Sequence, residues 1–130
     1  MTAKEITAMA LELLSRVGQS GSLDETRQSR YYGIAPAYLT LMQYEIASLK
    51  NLPATGMQMA DIDAQLKIDD DTAARVMPSG LAMYFALTDG DAACYDHFAK
   101  LYYNFLLPSL KPDECGLTDY YGVAGDPTMR

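Results

Sequence analysis

The sequence contains no tryptophan, one histidine, two cysteines and three phenylalanines. Each scarcity removes a class of function. A His-based catalytic dyad has a single residue to draw on, His97. A structural zinc site takes four ligands, more than Cys94, His97 and Cys115 can supply. Cys94 and His97 stand three apart on one helical face, but one helical turn does not build a thiolate site with its oxyanion hole. The two cysteines lie outside any C-x-x-C pair and read as reduced thiols of a cytosolic protein, not as a disulfide framework.

Positive charge is also in short supply. Ten Lys+Arg stand against 17 Asp+Glu, a formal net charge of −7. That disfavours nucleic-acid binding by phosphate neutralisation, and equally a polybasic membrane-surface protein. No apolar run approaches the ~20 residues of a membrane span. The first segment is amphipathic and holds Glu5 and Glu12, so no secretory signal is expected there. No dinucleotide fingerprint, P-loop, H-E-x-x-H or G-x-S-x-G is present, so neither a cofactor nor an enzymatic activity is expected.

What is present describes one compact domain. The 130 residues are 49% hydrophobic and 21% charged, ordinary globular values. The charge is unevenly placed. Residues 1–50 hold five bases and five acids, while residues 51–130 hold five bases and twelve acids and so carry the whole −7. One face or end should therefore be acidic.

Helical periodicity dominates the chain. Ile6, Met9, Ala10, Leu13, Leu14 and Val17 form one apolar stripe, and Thr2 with Glu5 has capping-box spacing. A second helical region runs from about Asp24 to Lys50, with a possible capping box at Ser22 and Glu25 and a kink or break expected at Pro36. Its stripe is Tyr38, Leu41, Met42, Glu45, Ile46 and Leu49, with Glu45 expected at the boundary, where it snorkels or pairs with a nearby Lys or Arg. Residues 51–69 break the pattern as a long loop, with Met57 and Met59 exposed or half-buried and a short extended piece near Gln65–Ile68. A third helix, Thr72–Leu87, follows Asp69, Asp70 and Asp71 and contains Pro78 and Gly80, so a bend or two pieces are expected. Thr88 and Asp91 have capping-box spacing before the last helix. Its stripe is Tyr95, Phe98, Ala99, Tyr102, Phe105 and Leu106, and Pro108 ends it. Five of the last twenty residues are Gly or Pro, which predicts a flexible tail. The expected fold is all-α, a small bundle of four to five helices over 1–110, with 111–130 as tail.

Two features invite a chemical reading. Asp61 and Asp63 open like a calcium loop, but Gln65, Leu66 and Thr72 occupy the positions where an EF-hand needs Asp or Asn, Gly and Glu. The Asp69–Asp71 run is favoured as a helix cap over a metal site. The ten tyrosines are the more unusual feature, with pairs at Tyr31-Tyr32, Tyr102-Tyr103 and Tyr120-Tyr121. In the helical pairs one ring is expected in the core and its neighbour at the boundary. Tyr120 and Tyr121 lie in the tail, where partner contact and disorder both remain open.

The stretch DIDAQLKIDDDTAARVMPSGLAMYFALTDGDAACYDHFAKLYYNFLL, Asp61 to Leu107, resembles the C-terminal half of tailed-phage head–tail connector (adaptor) proteins. The resembling elements are Ile62 to Ile68, the acidic start Asp69–Asp71, and Met77-Pro78-Ser79-Gly80-Leu81-Ala82. The Asp89-Gly90-Asp91 turn and Phe98 to Tyr102 complete them. Ser79 departs from the family, which often has Tyr there. Upstream, Arg30-Tyr31 to Ala35-Pro36 and on to Glu45 look like the family's first long helix.

The resemblance implies a non-enzymatic virion part that forms a heterologous homo-oligomeric ring under the portal, extends the DNA channel and docks the tail. Portal and tail-completion proteins are the implied partners, and the virion and, during assembly, the host cytoplasm the implied locations. Candidate partner contacts are Met57, Met59, Tyr120 and Tyr121. Candidate acidic channel or rim residues, near DNA but not binding it, are Asp61, Asp63, Asp69, Asp70, Asp71, Asp89 and Asp91. Pro78 and Gly80 are structural. The competing reading is a small acidic protein-binding module, for example a DNA mimic encoded by a mobile element, and an enzyme using Cys94 and His97 ranks third.

Overall fold

A computed structural model of the chain describes residues 1–17, 25–53 and 56–109. The expected turn at Gly18–Gly21, the Ser22 cap, Tyr120, Tyr121 and the rest of the predicted tail lie outside the described residues. Four helices are described: α1 (Ala3–Val17), α2 (Glu25–Leu49), α3 (Asp70–Asp89) and α4 (Ala92–Ser109). The fold is all-α, and only an isolated β-bridge between Thr2 and Gln65 represents extended structure among the described residues.

The third helix is the axis of the bundle and packs against each of the other three. Every residue from Val76 to Met83 is buried. A helix covered on all sides must be apolar or small all round, and the sequence VMPSGLAM meets that demand. Asp69 caps its start by accepting from the Thr72 N–H at 3.0 Å. Gly90 ends it in a left-handed conformation (φ 71°), which glycine adopts without a Cβ penalty. Pro78 does not divide the helix, which runs unbroken from Asp70 to Asp89. The proline removes one internal bond, and the buried turns on both sides hold the rest in place.

Helix α1 begins with the expected capping box: Thr2 Oγ1 accepts from the Glu5 N–H, and Glu5 returns the bond to the Thr2 N–H at 2.8 Å. In α4 the cap is Asp91 alone, accepting from the Cys94 N–H at 3.1 Å. Thr88 takes no part in it; its hydroxyl turns back to the Tyr84 carbonyl.

Helix α2 departs most from its sequence pattern. It passes through Pro36 without a break, because Tyr31, Ala35 and Leu39 anchor the flanking turns in the core. Its buried face is Tyr31, Ala35, Leu39, Met42, Gln43, Ile46 and Ala47. Leu41 and Leu49, expected inside, are about half exposed (54% and 50%). Glu45 accepts a 2.8 Å hydrogen bond from the Tyr102 hydroxyl instead of pairing with Lys or Arg.

Candidate functional site

The segment between α2 and α3 is held down by side chains of α2. Gln43 is completely buried; its amide nitrogen donates to the Met57 carbonyl at 2.5 Å and its amide oxygen accepts from the Lys67 N–H at 2.6 Å. Thr40 accepts from the Met59 N–H at 2.8 Å and donates to the Pro36 carbonyl at 2.8 Å. The far end of the segment joins α1, where the Leu66 N–H donates to the Met1 carbonyl and the Ala3 N–H to the Ala64 carbonyl. These bonds press Met57, Met59, Leu66 and Ile68 into the core. Met57 (5% exposed) and Met59 (6%) are therefore core residues, not exposed contacts for a partner. The apolar content of the loop is covered by α2, which sequence periodicity does not reveal.

The seven candidate carboxylates fall into three groups. Asp69, Asp70 and Asp71 stand at the start of α3, Asp61 and Asp63 lie in the segment before it, where Asp61 lines a groove with Tyr32 and Pro36 of α2, and Asp89 and Asp91 sit at the far end of α3. Nineteen positions separate Asp70 from Asp89, about 28 Å of helix at 1.5 Å per residue. No one rim collects all seven. Asp61 holds the Asp63 N–H, Asp69 caps α3 and lies 3.6 Å from Lys50, and Asp71 pairs with Arg75 at 2.6 Å. Asp70 lies 2.6 Å from the Met1 amino group. Burial works to raise Asp69, but hydrogen bonds from Thr72 and the Lys50 charge outweigh it and hold the carboxyl below its usual range. Asp91 is held low by the Cys94 N–H.

Asp89 is paired with cations. Arg27 (3.1 Å) and Arg30 (2.5 Å) both grip it, and the Tyr31 hydroxyl donates to it. Asp89 therefore ties α2 to the end of α3, and Arg27 acts on Asp91 nearby as well.

The tyrosine pairs divide as expected. Tyr31 and Tyr102 are buried, Tyr32 is half-buried and Tyr103 is exposed. Burial raises the Tyr102 phenol far above its ordinary range, and its bond to the Glu45 carboxylate adds to the rise. Burial raises Tyr31 too, with Asp89 reinforcing it. Tyr38 stacks on Tyr84 at 4.7 Å between centroids and bonds the Thr88 hydroxyl.

Cys94 and His97 do not form a pair: Cys94 is buried and His97 is exposed. Burial pushes the Cys94 thiol up, with a contribution from Asp91, the opposite of what a nucleophile needs. Among the described residues no group of three or more His, Cys, Asp or Glu stands together as a metal site. No described helix is long and apolar enough to cross a membrane.

Gly80 lies where α2, α3 and α4 meet, and Pro78 faces the space between α1 and α4. A Cβ at Gly80 would come within 2.6 Å of Met42 Sδ and 2.7 Å of the Tyr102 ring. Close approach of helices requires glycine here.

Two open grooves among the described residues bear on contacts with a partner. One, of about 510 Å³, has α3 as its floor (Ala74, Pro78, Ser79) and α1 and α4 as its walls (Met9, Leu13, Phe105), with Glu12, Arg16 and Arg75 at its mouth. The other, of about 800 Å³, runs along α2 past Tyr32, Pro36 and Leu41 to Asp61 and Ile62. Met9 (36% exposed) and Phe105 (45%) carry helical spacing that assigns them to the core. They line a groove instead because α1 and α4 stand apart over α3, a separation that no single helix records. The chain matches no protein-family model, no curated protein and no solved structure.

Proposed function

We propose that this protein is a structural, non-enzymatic part of a tailed-phage virion: a head–tail connector that forms a ring under the portal and offers the tail its docking surface. The observation that carries the reading is the position of the most distinctive resembling segment. Met77 to Ala82 is buried throughout, with Gly80 packed against Met42 of α2 and Tyr102 of α4. A motif of that kind supports an architectural role.

In this reading Asp69–Asp71 at the start of α3, with Asp61 and Asp63 of the preceding segment, face the channel and keep DNA phosphates from adhering. Homo-oligomerisation joins one face of each subunit to a different face of the next, and the groove along α2 past Tyr32 and Pro36 suits such a contact. The portal and tail-completion proteins are the partners, in the virion and in the host cytoplasm during assembly. Residues 111–130 supply a portal contact. The test mixes the protein with purified portal and images the product by negative stain. The expected result is a portal capped by a ring, weakened by deletion of 111–130 with helicity unchanged; a bare portal at saturating protein rejects the reading.

A small acidic protein-binding module is the second reading. The open apolar groove over Ser79 favours it, and co-purification with a nuclease or restriction subunit in place of portal would select it.

A further inference from the structure

We propose that the groove between α1 and α4 is the seat of the chain's own Asp119-Tyr120-Tyr121 stretch, bound within the same molecule. The proposal stands apart from the connector reading and needs only the groove and the sequence that follows it.

The floor of the groove supplies the first observation. Ser79 is 4% exposed, and its hydroxyl has no hydrogen-bond partner among the described residues. Thr7, Thr40 and Thr88 each return their proton to the carbonyl four residues back in their helices. A buried hydroxyl without a partner is costly, so Ser79 is fitted to a polar group entering from the groove, such as a tyrosyl hydroxyl or a backbone amide.

The walls supply the second. Met9 and Phe105 leave apolar surface open on either side of Ser79. The volume, about 510 Å³, lies within the ~300–1,000 Å³ typical of ligand pockets. A ring with a polar tip satisfies walls and floor together, and tyrosine is the side chain of that form.

The mouth supplies the third. Arg16 and Arg75 are cations on a protein of net charge −7. Their partners, Glu12 and Asp71, sit one helical turn away on the same helices, and both pairs are well exposed. Such pairs contribute little and exchange readily for an incoming carboxylate. Residues 110–130 hold four acids against two bases, and Asp119 directly precedes the two tyrosines. The connection is short. Phe105 lies four residues before Ser109, the last described residue, about 6 Å along α4. The ten residues from Ser109 to Asp119 reach up to ~35 Å, enough to return to the groove.

Methyl spectra of the full chain labelled at methionine and alanine test the proposal. The Met9 and Ala74 methyls report the groove, and Met77 and Met83 report the core. The expected result is a ring-current displacement of the Met9 and Ala74 signals relative to the Tyr120→Ala/Tyr121→Ala variant, with Met77 and Met83 unmoved. The displacement should persist on dilution and should shrink in Arg16→Glu/Arg75→Glu, whose exposed positions leave the fold intact. Identical Met9 signals in the two proteins overturn the proposal, as does a displacement that fades on dilution, which would assign the groove to a second copy. A portal that stays bare alongside a displaced Met9 signal rejects the connector and leaves this proposal standing.

Discussion

At the residue scale, Gly80 and Gly33 show how the same residue type serves two different ends within helices. Gly80 has no room for a methyl group, since the Tyr102 ring and Met42 sulfur occupy its place. Gly33 has nothing within 4 Å of a Cβ position. Gly80→Ala should therefore lower stability by about 1–3 kcal/mol through overpacking, even though alanine is the better helix former. Gly33→Ala should raise it by up to ~1 kcal/mol, as expected for an open helical site. Urea denaturation of both variants measures the pair; a Gly80→Ala midpoint at or above wild type would show that Tyr102 yields without cost. The importance of Gly80 is legible in the sequence only as part of a motif. Its neighbours, Met42 and Tyr102, are 38 and 22 positions away in the chain, so the cause is tertiary.

At the scale of elements, the helices themselves are mostly evident from spacing and caps. The Thr2–Glu5 box, the Asp69 and Asp91 caps and the Gly90 stop all follow from local chemistry. The face of α2 does not. A pattern that scores Leu above Gln turns Leu41 inward and Gln43 outward, yet Gln43 is buried because the 57–67 segment satisfies both ends of its amide. Gln43→Leu keeps the volume but leaves the Met57 carbonyl and Lys67 N–H without a partner. A buried unpaired group costs about 1–3 kcal/mol and the Lys67 N–H is only part-buried, so a loss of about 2–4 kcal/mol is expected. Hydrogen exchange should locate it: the Lys67 amide accelerates while amides of Val76–Met83 stay protected. Equal acceleration of both would mean that the segment and α3 open as one unit.

At the scale of the whole molecule, the tyrosines make stability depend on alkaline pH. Burial raises Tyr31, Tyr84, Tyr102 and Tyr103 above their ordinary values, with Asp89 adding to Tyr31 and Glu45 to the other three. A raised folded value means that the neutral phenol is favoured by folding. The contribution is complete below about pH 10 and is lost as pH climbs toward the folded values. Asp69 and Asp91, held low by their capping bonds, act in the opposite sense: their contribution is present above about pH 4 and disappears as pH falls further. Thermal melts across pH should form a plateau with an alkaline edge coincident with phenolate absorbance. An edge well below pH 9–10 would point to a group other than tyrosine.

The all-α class, the four helices and most of their boundaries were determined by the sequence itself, because periodicity and capping act within a few residues of chain. Tertiary structure alone decided what lies between the helices. It buried Met57 and Met59 under α2, joined Asp89 to Arg27 and Arg30, and left Met9 and Phe105 open on either side of Ser79. The physical reason is the same in each case. A side chain's environment is set by groups tens of residues away, and the scarcity of histidine, cysteine and tryptophan leaves no local motif to announce them.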